Sequence, residues 1–289
     1  MDSSFVMGRG IEPRRSIVMI IAQASVSGEW KFDGIFCETC FLLRKSLQKP
    51  PVLLLYSVQC SRKKGKAVIY VTGDTHGEQA RMLLLEKQAG LQAGDTLIVC
   101  GDFGYLFLND RSENAFLDDL EKKPYTYCFV DGNHENFPAI FQYPQETWNG
   151  GSVHRVRRNV LHLMRGQVFV LEGKRIFTMG GAYSIDRATR KEGDSWWRQE
   201  LPDNDEYHQA YRNLSRHGNT VDYILTHTMP REAILRYGRY PDVHDMELTG
   251  FLEWVMYEVK YTHWYCGHWH DDCDLPQHIT LLWHDVRAL

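Results

Sequence analysis

Five short segments place chemistry-bearing residues directly after apolar runs: VTGDTHG, VCGDFG, VDGNHE, LTHT and YCGHWH. Together they supply Asp74, His76, Asp102, Asn133, His134, His227, His268 and His270. Singly, each is weak, because an Asp after Gly is commonly a turn or a helix cap and a lone His is commonly a hydrogen-bonded structural residue. Jointly they offer imidazole, carboxylate and amide oxygen, a donor mixture suited to Zn, Fe, Mn or Co at neutral pH. Gly73, Gly101, Gly132 and Gly267 each precede the polar group. They are expected to let the backbone turn sharply where a strand ends.

Such a set converges only if strands end together, as they do at the carboxyl edge of an α/β sheet. From Ala67 onward the pattern fits that requirement. Strands are expected over 68–72, 96–100 and 127–130. Helices are expected after the first strand, with apolar positions at Ala80, Leu83, Leu84 and Ala89, then over 114–122 and starting at 136–141. Runs over 168–171 and 175–179 flank a Glu172-Gly173 turn and read as an antiparallel hairpin, so the α/β domain is mixed rather than purely parallel. A polar, aromatic loop over 180–202 follows. Helices over 206–217 and near 247–257 then alternate with strands over 223–225, 263–266 and 279–283.

In order and spacing, GDTHG, GD, GNHE, the isolated TH and GHWH resemble the signature of the calcineurin-like metallophosphoesterases, across about residues 67–289. The resemblance implies a mixed two-sheet β-sandwich core flanked by helices, and a dinuclear-metal phosphoester hydrolase acting on a monoester or a diester. It implies that Asp74, His76 and His270 hold one metal, that Asn133, His227 and His268 hold the other, and that Asp102 bridges them. The cofactors implied are two divalent ions among Mn, Fe, Zn, Co and Ni. Ions about 3.5–4 Å apart neutralise phosphate oxygens, acidify water and orient the resulting hydroxide for in-line attack. His134 is implied to sit beside the phosphate, stabilising charge or protonating the leaving oxygen. Glu135, where many relatives carry Asp, is expected to fix the His134 tautomer. The second cluster departs from the pattern: it reads GDFGYLF and lacks the Arg with which many relatives grip phosphate. That departure speaks against a phosphoprotein phosphatase.

Replacement cations are sought in GGAYSIDRATRKEGDSWW, where Arg187 and Arg190 are candidate substrate-binding residues beside Lys191. The alternative is a solvated loop with Trp196 and Trp197 in the core. A second basic run, His154, Arg155, Arg157, Arg158 and Arg165, is read as an exposed strand face of alternating charge in preference to a nucleic-acid contact.

The chain has 289 residues, 43% of them apolar, enough for a large buried core. A formal net charge of -4 gives no electrostatic reason for a nucleic-acid or membrane-surface partner, so a small phosphoester substrate is expected. Two other readings share the fold: a non-catalytic metal-binding scaffold, and a nuclease, which needs a wide basic groove. The odd count of seven Cys argues against a disulfide framework and for a cytoplasmic setting. Cys100, Cys128 and Cys266 fall at strand ends, where free Cys packs as a small hydrophobe. Residues 1–65 show no sustained period and are set apart from a catalytic domain over 66–289. Within them, RRSIVMIIAQASVSG has the outline of an export signal with a short apolar core. Cys37, Cys40 and Cys60 begin with a C-x-x-C pair but lack a fourth zinc ligand nearby. The leader is read as a loosely ordered extension, and Met7 and Met19 offer other starts, so a start-site artefact is a further alternative.

Overall fold

The computed structural model describes residues 66–289. The expectations placed on residues 1–65, including the export signal and the C-x-x-C pair, lie outside the described residues.

Two mixed sheets face each other, with helices on both outer sides. In the first sheet, β1 (Ile69–Thr72), β2 (Thr96–Cys100) and β3 (Thr126–Val130) run parallel, and β3 also pairs in parallel with β6 (Val160–Leu163). Antiparallel β5 (Gly151–Arg157) and β4 (Gln145–Trp148) extend that side, and β13 (Val286–Ala288) pairs antiparallel with β1 at the other edge. In the second sheet, β8 (Lys174–Met179), β9 (Tyr223–Thr226), β10 (His263–Cys266) and β12 (Ile279–Leu281) run parallel, flanked by antiparallel β7 (Gln167–Leu171) and β11 (Cys273–Leu275).

Side-chain alternation explains why these strands are apolar on both faces. Leu97 and Val99 of β2 and Tyr127 and Phe129 of β3 pack outward against Met82, Leu85, Phe116, Leu117 and Leu120 of the covering helices. The intervening Ile98, Cys100, Cys128 and Val130 point between the sheets, where they meet Phe169, Ile176, Leu225 and Tyr265. On the far side Ile224, Trp264 and Cys266 pack under the remaining helices. The three strand-end Cys residues are fully buried and free, and burial pushes their thiols upward in pKa, as expected for inert core positions.

The helices start and stop where local chemistry directs. Helix α1 (Gln79–Ala89) ends on left-handed Gly90, whose N–H reaches the Glu86 and Lys87 carbonyls. Helix α2 (Arg111–Glu121) is capped by Asp110, and α3 (Phe137–Ile140) by Asn136. Helix α4 (Asn204–Arg216) opens with a reciprocal capping box between Asp203 and Glu206 and buries Tyr207, Ala210 and Leu214 at helical spacing. Helices α5 (Arg231–Arg236) and α6 (Met246–Glu258) complete that layer.

Two expectations need correction. Helix α1 turns Met82 and Leu85 inward and leaves Leu83 and Leu84 about half exposed, so its core face is offset from the one read in the sequence. The basic run is not a bare strand face. Arg155, Arg157 and Arg158 engage Glu146, Asp118 and Glu121, while His154 and Arg165 are buried.

Candidate metal centre

All five parallel strand ends that carry polar clusters open onto one region. Asp74 follows β1, Asp102 follows β2, Asn133 and His134 follow β3, His227 follows β9, and His268 and His270 follow β10. Asp74 and His227 are fully buried, Asp102 and Asn133 nearly so, and His270 is about half exposed at 48%. The group is therefore open on one side only.

The ligand-type atoms fall into two overlapping groups. His270 Nε2 lies 3.0 Å from Asp74 Oδ2 and 2.9 Å from His76 Nε2. His227 Nε2 lies 3.0 Å from Asn133 Oδ1 and 3.4 Å from Asp102 Oδ1. The donor atoms of Asp74, His76 and His270 all lie within 4.8 Å of one another, as do those of Asp74, Asp102 and His227. The His268 ring packs 4.8 Å from the His227 ring, and its backbone N–H donates to Asp74 Oδ1 at 2.9 Å. Asp102 lies between the groups, with Oδ2 at 3.9 Å from His76 Nδ1.

Electrostatics tune these groups in ways that suit cation binding. Burial works to raise the Asp74 carboxyl, but the His227 charge and the His270 and His268 hydrogen bonds outweigh it and hold the pKa below the ordinary value. Burial and the adjacent His227 push His268 down to about 3, leaving a neutral imidazole at physiological pH. Burial likewise lowers His76. His227 moves upward, because Asp102 and Asp74 overcome the desolvation that would lower it. Its Nδ1 faces the Cys100 carbonyl at 3.0 Å. If Nδ1–H donates there, Nε2 points its lone pair at the Asn133 and Asp102 oxygens, an arrangement that needs a proton or a metal ion between them.

The glycines act mainly by absence of bulk. A Cβ on Gly132 would lie 2.1 Å from Asp102 Oδ1, one on Gly267 2.0 Å from Asp74 Oδ1, and one on Gly73 1.9 Å from the Leu282 carbonyl oxygen. Only Gly101 of the four also has a positive φ, +94°. The sharp turns are instead made by the polar residues: His76, Asp102, His268 and His270 have φ of 47°, 47°, 67° and 48°.

The surroundings of His134 differ from the expectation for Glu135. Glu135 is fully buried and accepts from Phe103 N at 2.6 Å, bracing the turn after Asp102 and leaving the His134 ring to other partners. Burial and the Asp102 charge push its carboxyl well above the ordinary range. The contact to the His134 ring comes from the loop after β8: Arg190 Nη2 lies 3.2 Å from His134 Nδ1. Arg190 also donates to Ser184 Oγ at 3.2 Å, and Asn133 Nδ2 donates to the same oxygen at 3.1 Å. Arg187 is engaged elsewhere, donating from Nε to buried Glu200 Oε1 at 2.9 Å and stacking 4.1 Å from the Tyr183 ring and 4.2 Å from the Trp196 ring. Ser184 carried no motif that would have singled it out. Trp197 is buried, and Trp196 only partly so.

No curated protein matches the chain. The family model for calcineurin-like phosphoesterase matches residues 67–272, which span every one of the clustered site residues. Members of that family are usually metal-dependent phosphoesterases, and the convergent Asp and His donors give this chain a candidate metal site. With its two facing mixed sheets and helical flanks, the chain belongs to the calcineurin-like phosphoesterase family.

Proposed function

We propose that residues 66–289 form the catalytic domain of a dinuclear, divalent-metal-dependent phosphoester hydrolase. Asp74, His76 and His270 would hold one ion, Asn133, His227 and His268 the other, with Asp102 shared. The observation that carries this reading is His227, fully buried, whose two ring nitrogens both face oxygen acceptors beside buried Asp102 and Asn133. When bound, divalent ions at these residues supply charge neutralisation for a phosphoryl group and acidify water. The donor set favours Mn, Fe, Zn, Co or Ni over a hard all-oxygen cation such as Ca.

His134 acts on the leaving group. A guanidinium can only donate, so the Arg190 contact makes Nδ1 of a neutral His134 the acceptor and leaves the proton on Nε2. That tautomer suits a ring that donates a hydrogen bond from Nε2 to a phosphoryl or departing oxygen and stabilises the charge developing there. Arg190 is then doubly placed, orienting His134 and bringing a permanent positive charge to the open side of the site, in place of the Arg absent from GDFGYLF. Arg190 also pairs with half-exposed Asp186, whereas Arg187 is tied to fully buried Glu200 and makes no hydrogen bond to His134 among the described residues, so Arg190 is the better-placed of the two candidates. The basic run is occupied by ion pairs to Glu146, Asp118 and Asp131, which favours a small phosphoester over an extended nucleic acid as substrate.

Metal-free protein reconstituted separately with Mn, Zn, Fe, Co and Ni is expected to bind two ions and to hydrolyse a generic aryl phosphomonoester or diester. Asp102→Asn and His134→Ala are expected to lower turnover by at least about 100-fold. Undiminished turnover in both variants would remove the proposal, and fewer than two bound ions would favour a binding scaffold.

A further inference from the structure

The matched family span ends at residue 272, yet the chain continues into the same site. Residues beyond it add β11 and β12 to one sheet and β13 to the other. Between β12 and β13 the chain carries Trp283 to the candidate metal centre. Its ring centroid lies 3.9 Å from that of His270, tilted by 30°, and 5.9 Å from that of His76. On the indole, the Arg81 guanidinium carbon sits 4.1 Å from the ring centre. The indole is thus packed against both the Arg81 guanidinium and the His270 imidazole.

His270 has need of such a neighbour. His227 has its second ring nitrogen against the Cys100 carbonyl, the usual way a ligating imidazole is oriented. Both hydrogen-bond-range contacts of the His270 ring, to Asp74 and His76, use Nε2, and among the described residues no hydrogen bond holds its other nitrogen. Its side chain is 48% exposed and its backbone is left-handed at φ 48°, so little else restricts the ring.

The segment that delivers the indole is itself fastened at several points. The Asp272 carboxylate accepts from the backbone N–H groups of Trp283, His284 and Asp285 at 2.8, 2.9 and 2.9 Å. Thr72 Oγ1 donates to the Asp285 carbonyl at 3.0 Å. Leu282 passes so close to Gly73 that any side chain at residue 73 would strike its carbonyl. Arg81 also donates from Nη2 to the Trp283 carbonyl.

We infer that Trp283 is a positioning residue for His270, and that the chain beyond residue 272 is therefore part of the first metal site. This rests on the reading of His270 as a ligand. The test is calorimetric titration of metal-free protein with Mn²⁺, comparing the wild type with Trp283→Ala, Trp283→Phe and His270→Ala, with far-UV circular dichroism checking the fold. The wild type is expected to show two binding events. Trp283→Ala should weaken one of them about 10-fold, the scale seen for residues that orient a ligand, and leave the other unchanged. Trp283→Phe, which keeps an aromatic face against the imidazole, should restore most of the loss, and His270→Ala should abolish the same event. If Trp283→Ala fails to fold, Arg81→Ala, which uncovers the indole without removing it, should weaken that same event alone. Unchanged affinity in Trp283→Ala where His270→Ala loses one event overturns the inference and leaves the metal reading intact. Equal weakening of both events, or no rescue by Phe, overturns it as well. Absence of any binding by the wild type overturns the metal reading and this role together.

Discussion

Adding a single methyl group at Gly101 should damage both stability and the candidate metal site. The built Cβ would lie 2.0 Å from His227 Nδ1, 2.4 Å from its Cγ and 2.7 Å from its Cβ, far inside contact distance. Gly101 also has φ +94°, outside the left-handed well that an L-residue tolerates at modest cost. Strain of this kind costs about 1–3 kcal/mol, and forcing a methyl into a packed interior costs about the same again. The sum, about 4 kcal/mol, corresponds to a Tm lowered by roughly 8–16 °C for a domain of this size. Relief comes chiefly by moving the His227 ring, so the loss should appear in metal binding too. Gly101→Ala should be followed by thermal unfolding with and without Mn²⁺. The wild type should gain Tm on adding metal, while the variant should start lower and gain less. A variant within about 1 kcal/mol of wild type that keeps the full metal-dependent gain would refute the reasoning.

Three further outcomes follow from other groups. Asp131 is buried and accepts from Arg165 Nε at 2.8 Å and from His162 Nε2 at 3.0 Å, so Asp131→Asn should cost up to about 3 kcal/mol in urea unfolding by leaving the buried guanidinium with Glu206 as its one carboxylate partner. Burial alone would raise the Asp131 carboxyl, but Arg165 and His162 hold it well below its ordinary 3.8, so its contribution is present above that pH and lost as pH falls below it. An acid-unfolding curve of equal steepness in the variant would contradict this. Asp245 shows the opposite sign: burial raises it from 3.8 to about 6, so stability present below 3.8 is lost as pH rises toward 6. Asp245→Asn, which still accepts from Tyr183 N, should therefore stabilise metal-free protein at pH 7 by up to about 3 kcal/mol and have little effect at pH 4, read from Tm at the two pH values. Arg190→Ala should lower kcat on an aryl phosphoester about 100-fold or more, while calorimetry still finds both metals, and loss of metal binding would assign Arg190 to the ligand scaffold instead.

What the sequence revealed and what it hid divide along physical lines. Strands β2 and β10 were legible to the residue, because a run such as TLIVC is buried on both faces and bounded by turn residues. The site residues were legible for the same reason, since each directly follows such a strand. Strands β4, β5 and β6 were not, because Gln145–Trp148 is largely exposed and the buried His154 and His162 of the next two strands look polar. Those two imidazoles meet at 3.0 Å and His162 in turn contacts Asp131, a pairing that no local pattern announces. Helix α5, six residues long, and strands β11 and β13, three residues each, are too short to carry a period. The face of α1 was misjudged because LLL offers three adjacent apolar residues and only tertiary packing selects among them. Arg190 was found as a candidate by its charge, whereas its partner His134 lies 56 residues away and only the fold joins them.

The largest disparity concerns where the backbone strain sits. The motif glycines look like the turning points, but His76, Asp102, His268 and His270 take the left-handed conformations themselves, at about 1 kcal/mol or more apiece. They hold these conformations because the turns brace one another: the Asp102 carbonyl accepts from Thr75 N at 3.0 Å and His76 N at 2.8 Å, while the Asp102 side chain accepts from His134 N at 2.7 Å. Buried Glu135 ties down the next turn at Phe103 N, and Asp74 receives His268 N. The turns after β1, β2, β3 and β10 are thus tied to the polar groups of their neighbours, and the Asp74 and Asp102 carboxylates are aimed before any ligand arrives. A replacement chosen only to relieve strain, such as Gly at residue 76, would gain backbone stability and forfeit the donor that the strain exists to aim.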